Sequence, residues 1–320
     1  MRSARAAKRE QTLQALNLRE EVMQYEHIDE QYLSLVRDII AHGDYRMDRT
    51  GVGTCALFGT RMRFNLADGL PLLTTKKIAV DKPIHELIWF LSGNTSIKPL
   101  LENDVHIWTE WPHKNYCTQT GCEVTLKEFE QMVLSDPAFE SKWGHIGKGY
   151  GHQWRRWEHA DGSHTDQIAK VLDLLINNPA SRRILFTGWN VAQLDEMALP
   201  PCHMTYQYSV SSGKLNCQMY QRSVDVGLGL PWNLLETALL THMFAQQAGL
   251  GVGEMIWVGG DTHLYTNHIE IIQEKQLNRA PRPQAQLKLK KADSIFDYKL
   301  SDFEICGYDP HPSFKLPIAV

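Results

Sequence analysis

The sequence predicts a single α+β domain, and three observations carry that prediction. Strand-like runs crowd the chain from Arg183 onward: R-I-L-F-T-G-W-N, M-T-Y-Q-Y-S-V and K-L-N-C-Q-M-Y-Q-R-S. A long apolar segment, from about Asn233 to Ala248, follows them and reads as one buried helix. No repeat or low-complexity linker divides the 320 residues, so mixed strands and that helix belong to one core. At 43% hydrophobic and 22% charged, the composition is that of an ordinary globular chain with length enough for a sizeable interior.

The elements follow in order. Residues 1–28 form a polar extension, with Arg2, Arg5, Lys8 and Arg9 first and Glu20 and Glu21 later, and read as a solvated arm. Tyr32, Leu33, Leu35, Val36, Ile39 and Ile40 mark an apolar stripe, which predicts a helix over Asp29 to His42. M-D-R-T-G-V-G-T, Met47 to Thr54, is a glycine-bearing turn into a strand-like L-F-G-T-R-M-R-F. Its glycines lack the full spacing of a phosphate loop. P-I-H-E-L-I-W-F-L, Pro83 to Leu91, reads as a mostly buried helix with one acid, Glu86. Residues 112–147 are more polar, contain the turn S-D-P-A-F, and look like an inserted lobe within a domain spanning 29–320.

Composition narrows the function classes. A net charge of −4 gives no bulk attraction to nucleic acid, so any anion site is local. No apolar run approaches the roughly 20 residues of a membrane span, and the N-terminus lacks the apolar core of a secretory signal. Cysteines 55, 117, 122, 202, 217 and 306 are scattered, which fits reduced thiols in a cytoplasmic setting. Cys117 and Cys122 lie near His113, but no second close pair completes a tetrahedral metal set, and no metal is expected.

Several residues are able to do chemistry. Pro200 and Pro201 restrict the backbone ahead of Cys202 and aim its sulfur. A thiol so placed is either a nucleophile or a buried small hydrophobe, and local sequence admits both. Arg49, the pair Arg182-Arg183, and Arg222 with Ser223 are forks and hydroxyls suited to phosphate oxygens, provided that they converge. His263 and Tyr265 would share one face of a strand, as donors to a sugar or as packed rings. Glu86 stands out because a buried carboxylate is rare unless paired, hydrogen-bonded or functional. Trp108 and Trp111 in I-W-T-E-W suit a core as well as a stacking wall.

Taken together these pieces resemble the thymidylate synthase family from about Asp29 to Val320, most weakly over 112–147. The motifs are D-R-T-G-V-G-T, I-H-E-L-I-W-F-L, I-W-T-E-W, Y-G-H-Q-W, S-R-R-I, L-P-P-C-H, Q-R-S-V-D-V-G-L-G-L-P-W-N, G-G-D-T-H-L-Y-T-N-H, G-Y-D-P-H-P and P-I-A-V. The resemblance implies a bent, mixed six-stranded sheet and a homodimer packed sheet to sheet. It implies reductive methylation of dUMP to dTMP, with 5,10-methylenetetrahydrofolate giving the one-carbon unit and the hydride and leaving as dihydrofolate. Cys202 would add to pyrimidine C6. Glu86 and Tyr150 would serve proton transfers, and Asn233 would read the uracil edge. Arg49, Arg222 and Ser223 would hold the phosphate, with Arg182 and Arg183 reaching in from the partner, while His263 and Tyr265 bind the ribose. Trp108, Trp111, Asp225, Gly229 and the terminal Val320 would form the folate side.

The chain departs from the family pattern at Lys148 and Gly149, before Tyr150, and at Trp232. Val224 sits where the family varies. These departures keep a runner-up in view, a dUMP hydroxymethylase of the same superfamily in which water replaces the hydride. Asn233 argues against a cytosine substrate, whose N3 and amine need an acid. A non-catalytic folate- or RNA-binding relative is the third reading, and the intact Cys202, Glu86, Tyr150 and Asn233 speak against it.

Overall fold

The computed structural model describes residues 25–318. Most of the expected polar arm, and Val320, therefore lie outside the described residues. In chain order the elements are α1 (Ile28–His42), β1 (Asp44–Arg46), β2 (Thr54–Asn65), α2 (Asp81–Ser92), α3 (Lys98–Leu101), α4 (Glu110–Thr120), α5 (Leu126–Ser135), α6 (Pro137–Trp143) and α7 (Tyr150–Arg155). They continue with β3 (Trp157–Glu158), β4 (His164–Thr165), α8 (Gln167–Asn177), β5 (Leu185–Thr187), β6 (His203–Ser211), β7 (Lys214–Asp225) and α9 (Gly229–Gln247). β8 (Gly251–Tyr265), α10 (Thr266–Lys275), β9 (Gln286–Leu289) and β10 (Phe303–Cys306) complete the described chain.

Six strands form one mixed sheet in the order β1-β2-β8-β7-β6-β5, the six-stranded mixed sheet that the resemblance implied. Neighbours are antiparallel except β7 and β8, which run parallel. Two register shifts, at His203/Thr205 and Leu215/Cys217, are irregularities of the kind that bends a strand. α9 is buried along most of its length and covers the inner face, against Leu215, Cys217 and Met219 of β7 and Met255 and Trp257 of β8. A helix apolar on all sides is one that a core surrounds.

The pairing determines where the ends fall. β7 and β8 are parallel, so Asp225 and Tyr265 finish at the same edge of the sheet. β6 and β2 run antiparallel to them, so His203 and Thr54 begin there. One end of the sheet thus collects the start of two strands and the finish of two others.

Two expectations about elements need adjusting. α9 begins at Gly229, a turn before Asn233, because Pro231 fits a first turn whose N–H groups have no helical partner to lose. The run from Arg183 to Asn190 contributes only the three residues of β5, since the Asn190 side chain turns back to accept from Ala192 and caps a short 3-10 segment, Val191–Glu196. Residues 110–143 carry α4, α5 and α6, gathered on a ring cluster of Tyr116, Phe129, Phe139 and Trp143.

Candidate active site

Cys202 lies half-buried just before β6, at the collecting end of the sheet. Its backbone N–H donates to the Tyr150 hydroxyl (2.7 Å), and its carbonyl accepts from the Arg222 N–H (2.8 Å). The Arg222 guanidinium donates to the carbonyls of Pro200 (2.6 Å) and Pro201 (2.9 Å) and lies 5.2 Å from the Trp189 ring centre. The two prolines therefore do more than stiffen the chain, because their carbonyls anchor the arginine beside the thiol. Burial pushes the Cys202 thiol above its usual range, against the opposing pull of Arg222, the Tyr150 hydroxyl and Arg49. Sequence reasoning looked for groups favouring the thiolate; they are present, and burial outweighs them.

Tyr150 opens α7 in a backbone conformation L-residues rarely adopt (φ +20°) and stacks on Phe90 at 4.7 Å. Glu86, on the buried side of α2, accepts from the Trp108 indole N–H at 2.6 Å. Trp108 is thus more than a wall, since it also supplies a donor to the acid. Burial raises the Glu86 carboxyl above the ordinary range, with its hydrogen-bond partners opposing. Asn233 on α9 accepts at Oδ1 from the Gln221 amide (2.8 Å) and points its own amide at Glu236 Oε2 (3.3 Å).

Strand register places the remaining residues. Ser223 pairs with Asp261 and Asp225 with His263 across β7 and β8. His263 Nδ1 lies 3.0 Å from Asp261 Oδ1, and its ring meets Tyr265 edge-on at 5.3 Å, so the two share a neighbourhood as their spacing predicted. Asp225 Oδ1 accepts from the N–H groups of Gly227 (2.9 Å) and Leu228 (3.2 Å), and Gly229 follows in van der Waals reach of Asp225 and Asn233. Arg49, exposed on its turn, lines with Trp111 and Pro200 a cavity of about 1080 Å³. Arg182 and Arg183 are exposed before β5 and are not among the charges acting on Cys202 within this chain.

The departures from the family pattern have local explanations. Lys148 pairs with Glu158 (2.8 Å) and Glu196 (3.0 Å). A Cβ on Gly149 would meet only the Ile146 side chain, at 3.3 Å, within 4 Å. Gly147 has φ +73°, and a Cβ there would lie 2.1 Å from the Glu196 carbonyl, so the turn into Tyr150 requires glycine. Trp232 packs half-buried against the core.

Two groups escaped the sequence reading. Glu236 is a buried acid in L-L-E-T-A-L-L, with the same signal that singled out Glu86. Lys76 is buried with Nζ 3.1 Å from the Gly227 carbonyl, and burial draws it down to about 8, opposed by Asp225. Cys117 lies 3.5 Å from His113 Nε2, a nitrogen also bonded to the Val124 carbonyl. Among the described residues no three His, Cys, Asp or Glu side chains converge as a metal site would need.

The sequence profile of the thymidylate synthase family matches residues 30–320. A thymidylate synthase of Zymomonas mobilis is 54% identical over 295 residues, 91% of this chain and 99% of the relative. Thymidylate synthases of Cereibacter sphaeroides and Rhodopseudomonas palustris are each 50% identical over 297 residues, 92% of this chain and 99% of theirs.

Proposed function

The chain belongs to the thymidylate synthase family, and from that premise we propose how its own residues carry out the reaction. The protein is a thymidylate synthase, a methyltransferase that converts dUMP to dTMP. Methylenetetrahydrofolate is the cosubstrate that supplies the one-carbon unit and the hydride. The cavity lined by Trp111, Pro112 and Pro200 is large enough for a molecule of that size and adjoins Cys202 through Pro200 and Arg49.

The observation that carries the residue assignment is Cys202 between the Tyr150 hydroxyl and the anchored Arg222. Cys202 Sγ adds to C6 of the uracil, and its proton leaves to solvent or a neighbouring base. The ring then carries negative charge toward O4, which the amide of Asn233 stabilises. C5 takes the methylene, and Tyr150 and Glu86 manage the C5 proton and the departing amine. Expulsion of Sγ follows hydride delivery and leaves a methyl group on C5. Arg49, Arg222 and Ser223 bind the phosphate, and His263 with Tyr265 binds the ribose. Asp225, Gly229, Trp108, Trp111 and Val320 serve the folate side.

The active form is a homodimer in which Arg182 and Arg183 complete the partner's phosphate site. Two features support this: both arginines are exposed, and the outer face of the sheet presents Phe58 at 84% exposure near half-exposed Tyr220, Ile256 and Val258. All six cysteines are free thiols, which favours a cytoplasmic setting. No helix among the described residues is long and apolar enough to cross a membrane.

The test is the product of dUMP and methylenetetrahydrofolate, weighed by mass spectrometry while dihydrofolate absorbance is followed. dTMP with stoichiometric dihydrofolate is expected. A 5-hydroxymethyl product without dihydrofolate would establish the hydroxymethylase, and no product at all would establish a binding relative.

A further inference from the structure

A chain of amides ends on Glu236 and settles what that acid must be. The Trp257 indole has only an N–H to give, and it donates to Gln221 Oε1 at 3.0 Å. Gln221 is thereby turned so that its NH₂ donates to Asn233 Oδ1 (2.8 Å). Asn233 in turn must present its own NH₂ to Glu236 Oε2 (3.3 Å), which is an acceptor. On the other side Trp108 gives its N–H to Glu86 Oε1 (2.6 Å), which is an acceptor too. Among the described residues no donor reaches Glu236 Oε1, although the atom is fully buried. The Glu86 carboxyl lies within interacting reach of the Glu236 carboxyl, acid beside acid. Two ionised carboxylates would hold no hydrogen between them and would repel in a dry interior.

We propose that Glu236 is a positioning residue that keeps one proton on Oε1 and donates it to Glu86, while its Oε2 holds the Asn233 amide in register. This rests on the reading of Glu86 as a proton-handling group of the synthase. Among the described residues the other groups that act on the pair are Trp108, Asn233 and the phenols of Tyr150 and Tyr206, with His203 behind the phenols and held neutral by burial, and none is a cation that would let both acids ionise. Burial and the mutual repulsion of the pair raise Glu236 well above the carboxylate range. A singly protonated Glu236 thus serves two purposes. It stabilises an ionised Glu86 through a charge-assisted O–H···O bond, and it orients the residue that reads the base.

The test is Glu236→Gln, which keeps an acceptor for Asn233 and offers an N–H to Glu86 but has no proton to share. In the wild-type protein without substrate, infrared difference spectra at mildly alkaline pH should show a protonated-carboxyl C=O band that E236Q lacks. The weaker N–H···O bond should also move the acid limb of the E236Q kcat profile upward by about one pH unit. Absence of the band in wild type, or superposable pH profiles, would overturn the proposal. If E236Q does not fold, Glu86→Gln takes its place, and a wild-type band that persists in E86Q supports the proposal, whereas one lost with Glu86 overturns it. The band is read without turnover, so a wild-type protein that makes no dTMP would sink the synthase reading while the band still reports whether Glu236 keeps the proton.

Discussion

The Cys202 thiol is held by opposing influences, burial on one side and Arg222, Tyr150 and Arg49 on the other. Two outcomes belong to this scale. Cys202→Ala should lower turnover by more than about 1,000-fold while dUMP still binds, because uracil is a poor electrophile without a covalent partner. Retention of activity within about tenfold of wild type, measured by dihydrofolate absorbance, would remove Cys202 as nucleophile. Arg222 is the largest influence lowering the thiol, so Arg222→Ala should raise it further and slow alkylation of Cys202 at neutral pH by roughly three- to tenfold. An alkylation rate that is unchanged or faster would mean that the guanidinium does not act on the sulfur. Both residues were legible in L-P-P-C-H and Q-R-S. The carbonyl anchors that fix Arg222 were not, since they depend on how the β6 and β7 ends meet.

At the scale of elements, helix starts and strand starts carry buried polar groups that stability depends on. Asp29, wholly buried at the head of α1, accepts from both backbone N–H groups and both hydroxyls of Thr74 and Thr75, at 2.6–3.1 Å. Asp29→Ala strands those donors and should cost about 3 kcal/mol, read as a lower urea midpoint at unchanged slope. A change under about 1 kcal/mol would show that water replaces the carboxylate. His203, buried at the head of β6, and His242, half-buried in α9, are held neutral, with desolvation depressing them to about 3 and about 4 from 6.5. Depressed folded values mean that their contribution is complete above about pH 6.5 and is lost as pH falls toward the folded values. The loss runs at about 1.4 kcal/mol per pH unit for each histidine. His242→Gln should therefore flatten the fall of stability between about pH 6 and 4, and an unaltered slope would show that the ring is not held neutral. The apolar stripe of α1 predicted its helix, whereas Asp29 was read only as a helix boundary, because its partners lie 45 residues away.

For the whole molecule, the proposal to test is the second copy whose Arg182 and Arg183 would complete the site. Mixing Cys202→Ala protein with Arg182→Glu protein, each inactive, should restore about a quarter of wild-type activity when the chains exchange at random, since half of the dimers then carry one intact site of two. No recovery, with exchange demonstrated by mass, would place Cys202 and Arg182 in a single subunit's site.

By itself the sequence determined the α+β class, the buried helix after the strands, and the ordered motifs that mark the family. These are local patterns of apolar spacing and residue type, readable without knowing what touches what. Only the tertiary structure decided that Lys148 turns to Glu158 and Glu196, that Trp108 donates to Glu86, and that the buried Glu236 of one helix acts on the buried Glu86 of another. Those facts depend on pairings between residues up to 150 positions apart, such as Glu86 and Glu236. Parallel pairing of β7 with β8, and antiparallel pairing of β6 and β2 beside them, brings strand ends together that are remote in the chain. A hydrogen bond has a direction and a reach of about 3 Å, and no one-dimensional pattern records either.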